Sequence, residues 1–413
     1  MPMLRFLLDN ARWLLGGLLL TMFSSFGQTF FISLSAGELR AEYGLSHGGF
    51  GALYMLATLA SALTLPQLGK IVDRYSIVQV VGLTIPMLAV ACMAMALSHS
   101  LWMLVVVIYL LRLFGQGMMT HIAMTAMGKW YAAQRGRAVS VAGIGINFGE
   151  ALFPLIFVAI LGAVGWRGSW LVAAATLLVV ALPAIYLLMR VERQPRGVAV
   201  AADPSGVRDW TRAEVLRDPL FYLLMTGILA PPFIGTTIFF HQVYLVELRG
   251  WSQEAFAASF IFMSSMTVVC AIICGGLVDR FSAVRILPFF LLPLAAACFA
   301  LFAIESQISA FVFMTLLGVS YGFSGTLFGA VWPEIYGAKH LGAIRSGIVA
   351  VMVLATAVGP GLTGLLIDLG VSYSGQIFTF GVYCLFACAA LYVGSLRLIA
   401  RAASPVAIEE APG

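Results

Sequence analysis

Charge is what this sequence has little of. Of its 413 residues only 10% are Asp, Glu, Lys or Arg, against about 25% in soluble domains. A soluble globule of this length needs far more polar surface, so that class is excluded. Cysteine is missing from every polar stretch: Cys92, Cys270, Cys274, Cys298, Cys384 and Cys388 all fall in apolar runs, where an oxidising compartment has no loop thiols to pair. The i,i+4 pairs Cys270/Cys274 and Cys384/Cys388 read as small helix-packing residues, and with no His or carboxylate near them in sequence no metal is expected. A basic patch with interleaved aromatics is also absent, so the net charge of +5 does not indicate nucleic acid. The longest exposed segment, 191–218, holds neither His nor Cys, which disfavours a membrane enzyme. The lack of a soluble signalling domain disfavours a sensor, and no cofactor is expected.

What is present is hydrophobic sequence, 61% of the chain. A membrane-crossing helix needs roughly 20 mostly apolar residues. Twelve such runs occur, at 13–37, 48–69, 77–97, 101–128, 138–161, 169–190, 219–246, 253–276, 284–304, 308–331, 346–368 and 376–397. Arg5 and Arg12 precede the first without a small-residue cleavage site, so it reads as a span, not a signal peptide. Lys and Arg placement orients the set. With both termini cytoplasmic, nineteen fall on inner segments and three (Arg40, Arg167, Arg249) on outer ones; Arg112 lies within a span.

The chain repeats itself. Gly69-x-x-x-Asp73-Arg74 follows the second span and Gly275-x-x-x-Asp279-Arg280 follows the eighth. At the same offset Gly136 matches Gly342 and Pro154 matches Pro360. The expected organisation is therefore a six-helix half over 1–190, a cytoplasmic linker over 191–218 and a second half over 219–413. Parallel halves around a central site are one architecture of secondary transporters.

These motifs carry a resemblance. The doubled Gly-x-x-x-Asp-Arg looks like the loop signature of the major facilitator superfamily. Arg112-x-x-Gly115-Gln116-Gly117 is similar to that family's helix-4 signature, and 129–138 (Lys-Trp-Tyr-Ala-Ala-Gln-Arg-Gly-Arg-Ala) resembles its loop between helices 4 and 5. Gly165-Trp166-Arg167, Trp210-Thr211 and Arg217-Asp218-Pro219 resemble the monocarboxylate-transporter and oxalate/formate-antiporter branch. The resemblance implies an all-α membrane fold of twelve helices in two pseudo-symmetric halves, with helices 1, 4, 7 and 10 lining a central cavity. It also implies that Gly69, Asp73, Arg74, Gly275, Asp279 and Arg280 form a conformational latch. A topological anchor is the plainer alternative.

Charges at membrane depth are costly and by default mark function. Only Arg112 and Glu150 qualify, about 25 Å and 20 Å from the cytoplasmic ends of helices 4 and 5 at 1.5 Å per residue. Consecutive helices are usually neighbours, so the two are expected to meet. One reading is a buried ion pair. The other has Arg112 holding an anionic substrate while Glu150 exchanges a proton, since the protonation of a buried carboxylate depends on the charges around it. Further substrate-site candidates are Gln116, one turn from Arg112; Asn147, one turn from Glu150; Gln28, with Ser24 one turn away; His241, beyond Pro231-Pro232; and Tyr321 and Ser324 in helix 10. His121, nearer the cytoplasm, is a lesser candidate.

Three departures narrow the substrate. Helices 8 and 11 lack mid-depth charges, helix 1 lacks a buried lysine, and helix 5 lacks the Gly-Pro drug-antiporter signature. A single basic cavity residue suits a monoanion. The expectation is a monomeric, proton-coupled transporter of a small organic anion, a monocarboxylate, in a bacterial inner membrane with the bilayer and protons as partners. The alternative is an efflux antiporter for amphipathic compounds.

Overall fold

The computed structural model describes residues 2–131, 134–193, 208–337 and 339–403. Residues 132 and 133 of the 129–138 motif and 194–207 of the expected linker lie outside these. Among these described residues ten continuous helical segments are long and apolar enough to cross a membrane, and a bent pair, Ala11–Gly27 with Thr29–Tyr43, forms another span with a 44° break. The segment Arg135–Met189 has 55 residues, about 80 Å of helix, far beyond one bilayer. It divides at Gly165, whose φ of 70° and ψ of 173° are non-helical and open to glycine at no steric cost. Twelve spans result, as the hydropathy pattern predicts.

In chain order the first six are α1 (Ala11–Gly27 and Thr29–Tyr43), α2 (His47–Leu68), α3 (Ile77–Ala96), α4 (Leu101–Trp130), α5 (135–164) and α6 (166–189). The second six are α7 (Pro219–Phe240), α8 (Gln253–Phe281), α9 (Ala283–Ala303), α10 (Ile308–Tyr336), α11 (Leu341–Asp368) and α12 (Tyr373–Ala402). Local chemistry sets many of the starts. Ser46, Ser100 and Ser252 cap α2, α4 and α8, and Ser76 with Gln79 forms a capping box on α3. Each satisfies amides that the first turn leaves open. Asp218 caps α7, with Pro219 in its first turn. Before it, Thr211 and Glu214 form a further capping box. Hydrogen bonds from the Thr211 amide and hydroxyl hold the Glu214 carboxyl below its usual range.

The repeat is visible in the packing, and so is one departure from it. The Ile77 amide at the start of α3 donates to Glu192, and the equivalent Ala283 amide of α9 donates to Glu334. The first Gly-x-x-x-Asp-Arg copy ends in a separate turn, Ile71–Arg74. Contrary to the expected loop, the second copy is helical, because α8 runs unbroken to Phe281.

Between the halves α2 packs on α11 and α5 on α8. Lipid supplies no hydrophobic drive between helices, so such contacts rely on small residues and polar bonds. The face opposite the chain termini is closed. Ser33 donates to the Phe239 carbonyl at 2.6 Å, and the Gln242 amide donates to the Phe30 carbonyl at 2.7 Å and to Ser33 Oγ at 2.8 Å. Ser33 and Phe239 are 206 positions apart, the spacing of Asp73 and Asp279. Equivalent residues touch only on the pseudo-twofold axis, so the axis passes through this seal. Phe240 of α7 stacks on Phe50 and packs on Tyr54 of α2, with centroids 5.0 and 4.8 Å apart. On the face that carries the termini, no hydrogen bond or ion pair joins the halves among the described residues.

Candidate functional site

The middle of the bundle is organised by two irregular helices. α1 tightens to a 3-10 turn over Ser24–Gly27 and is then interrupted at Gln28, whose φ of −84° and ψ of 155° are extended. Facing it, α4 widens to a π-helix over Leu111–Met119, a distortion common at functional sites. The two meet through Gly27 and Gly115. A Cβ on Gly27 would lie 2.7 Å from Gly115 Cα, and one on Gly115 would lie 2.6 Å from Gly27 Cα. Backbone meets backbone here, and no other residue fits.

Arg112 sits in the π segment, 3% exposed. Its Nη1 donates to the Gly27 carbonyl at 3.2 Å, an oxygen released from helical bonding by the break, and to Thr29 Oγ1 at 3.4 Å. Thr29 is bonded in turn to the Tyr54 hydroxyl at 2.6 Å, and the guanidinium carbon lies 5.4 Å from the Tyr54 ring centroid. Nε has no partner. Sequence reading missed Gly27, Thr29 and Tyr54 as the setting of this arginine. Their signal was faint: small and hydroxylated residues beside Gln28, with nothing to mark a helix break.

The expected meeting of Arg112 and Glu150 is not what the structure shows. No ion pair joins them among the described residues. At this depth α1 stands between α4 and α5: Cβ atoms on Gly145 and Gly149 of α5 would strike the α1 backbone and Ser25, while Arg112 is drawn to α1 from the other side. Glu150 is partly exposed within the bundle. It makes no hydrogen bond among the described residues.

The remaining candidates divide. Gln28, Gln116 and Asn147 are partly exposed and make no side-chain hydrogen bond among the described residues, leaving their amides available. The Tyr321 hydroxyl contacts the Pro231 carbonyl at 3.5 Å and packs against Gly235 of α7, and Ser324 is buried and donates to the Tyr321 carbonyl at 3.0 Å. His241 falls elsewhere than expected. It lies in the closed face, its Nε2 3.2 Å from the Pro360 carbonyl and its ring among His47, Phe240 and Tyr373.

Of the motif residues, Asp73 pairs with Lys129 at 2.6 Å, and His121 approaches Gly69 instead of the cavity. Asp279 has no polar partner among the described residues. The Arg280 guanidinium lies over Phe281 at 5.1 Å, Arg74 is exposed, and Gly275 has open space beside it.

Comparison with known proteins agrees with this geometry. The model of the Major Facilitator Superfamily matches residues 17–360. Crystal structures of a bacterial homologue of the human lysosomal transporter Spinster are similar in fold. The inward-facing, unoccupied form superposes with a TM-score of 0.72 at 16% identity, over 96% of this chain and 99% of that one. The inward-facing, occupied form gives 0.69 at 17% identity, over 97% and 98%. Comparison with curated proteins returns no match. A family match over most of the chain, twelve spans in two repeated halves and a distorted polar centre lead to one conclusion: this chain belongs to the Major Facilitator Superfamily and is a multi-pass membrane transporter.

Proposed function

We propose that the protein moves a small organic anion, a monocarboxylate, by proton-coupled alternating access across a bacterial inner membrane. In this reading both termini are cytoplasmic, and the bodies 1–190 and 219–413 rock about the linker 191–218. The observation that carries it is the Arg112 guanidinium, buried at mid-membrane without a carboxylate. An arginine at a helix centre costs roughly 2.5–3.5 kcal/mol on insertion scales, and two long bonds to neutral oxygens leave its charge uncompensated. An anion would supply the missing charge, and the planar fork suits a carboxylate. The position equivalent to Arg112 in the second half is Gly318, so the site offers one cation and suits a monoanion. Gln28 and Gln116 flank it as uncommitted donors. Glu150, partly exposed within the bundle, is the proposed proton carrier.

The test is uptake into liposomes containing the purified protein under an inward proton gradient, with labelled acetate, lactate, pyruvate and benzoate offered singly. Accumulation of at least one, abolished by a protonophore, supports the reading; accumulation of none refutes it. A carboxylate at membrane depth, Glu150, with no ion-pair partner among the described residues also favours a second reading, efflux of amphipathic cations. Proton-driven movement of ethidium in the same liposomes, without movement of any carboxylate, selects that reading.

A further inference from the structure

Asp368 is the last residue of α11. A carboxylate there faces the negative end of its own helix dipole, where an anion is disfavoured. Its partners belong to the other half. Oδ1 accepts from the His47 amide at 3.1 Å and Oδ2 from the Gly48 amide at 2.8 Å. These are the first two amides of α2, and the third, Gly49, is taken by its own cap, Ser46, at 3.0 Å. A helix start leaves its first amides open; here α2 satisfies one locally and borrows the acceptor for two from 320 residues away.

The backbones are brought together to permit this. A Cβ on Gly48 would lie 2.6 Å from Asp368 Oδ2, and one on Gly51 would lie 2.7 Å from the Pro360 carbonyl. Side chains at Gly361 and Gly364 would meet Gly51 and His47 in return. Beside this contact His47 packs on Tyr244 at 4.1 Å and stands 6.1 Å from His241. A small cleft lined by Gly37, Arg40, His47, His241 and Val243 reaches the seam.

The geometry points to Asp368 as a latch on the outer face: it holds the outer end of α2 against α11 while that side is closed, and must release it for the outer side to open. When released, Asp368 is left at the unfavourable end of its own helix and two α2 amides lose their acceptor, so closure is the preferred state without substrate. The inference rests on the alternating-access reading, but its test uses no substrate, so failure of the two can be told apart.

Val243, in the short helix Gln242–Arg249 that follows α7, lies in the seam, 3.3 Å from a Cβ placed on Gly37 of the other half. In the full chain carrying Val243→Cys, reaction with a polar maleimide in detergent reports opening; the described native cysteines are all buried. Adding Asp368→Ala should speed that reaction about tenfold, the loss of one charge-assisted cap, while the native thiols stay unreactive. Asp368→Asn keeps a neutral acceptor and should fall between. An unchanged rate in Asp368→Ala overturns the proposal. If Asp368→Ala unfolds and exposes the native thiols, the isosteric Asp368→Asn decides: a rise of about twofold or more supports the latch, and no rise overturns it.

Discussion

Arg112→Gln should leave the protein as stable as before and unable to bind a carboxylate. The substitution removes two bonds, to the Gly27 carbonyl at 3.2 Å and Thr29 Oγ1 at 3.4 Å. Bonds to a charged donor contribute about 1.5–3 kcal/mol each, and at these lengths the lower end applies, so the loss is about 3 kcal/mol. Against it stands the cost of a guanidinium at membrane centre, about 2.5–3.5 kcal/mol, which the neutral side chain avoids. The two nearly cancel, and a change within about 1 kcal/mol is expected. Had Arg112 been one member of a buried ion pair, the stranded partner would cost about 3–5 kcal/mol. Binding behaves oppositely: loss of a desolvated charge partner costs about 2–5 kcal/mol, at least a thirtyfold fall in affinity. Thermal unfolding in detergent, with and without a monocarboxylate accumulated in the liposome assay, measures both quantities. Wild type should be stabilised by that carboxylate and Arg112→Gln should not. A variant that unfolds many degrees earlier yet still gains stability from it would refute the reasoning, for Arg112 would then be structural. Arg112→Lys should recover little, since an ammonium lacks the planar fork.

Four further outcomes follow from the same geometry. Glu150→Gln, a mimic of the protonated acid, should still exchange carboxylate across liposomes but fail to concentrate it on a proton gradient; full accumulation would remove Glu150 from coupling. Gly27→Ala drives a methyl onto the Gly115 backbone and should cost about 1–3 kcal/mol of overpacking with loss of binding, read by thermal unfolding against the neutral control Gly82→Ala, where a Cβ meets nothing. Asp73→Asn breaks an exposed pair with Lys129 and should slow transport while binding in detergent persists; lost binding would make Asp73 a ligand. Topology is tested by external thiol labelling, which should reach a cysteine at Arg249 and not one at Arg208.

Much of the architecture is legible in the chain itself, because each span must satisfy its own backbone within lipid. Twelve apolar runs and the repeat of Asp73 at Asp279 are local or periodic signals, and they needed no partner to be read. The prominence of Arg112 and Glu150 was equally plain, since a charge in an apolar run is conspicuous. Their relation was not. Adjacent helices and similar depth suggested a pair, whereas the break at Gln28 and the π turn in α4 turned Arg112 toward Gly27 and Thr29 and left Glu150 without an ion-pair partner among the described residues. His241 was singled out for its place beyond Pro231-Pro232 in helix 7, and it became part of the closed face because it follows Phe240 at the end of α7, against Pro360 of α11. Asp368 looked like an ordinary helix end until the other half supplied the amides it binds. These facts depend on how the halves meet, and that contact must exchange between states of similar energy during transport. A local pattern fixes what each helix is; only the packed molecule decides which face it shows to the other half.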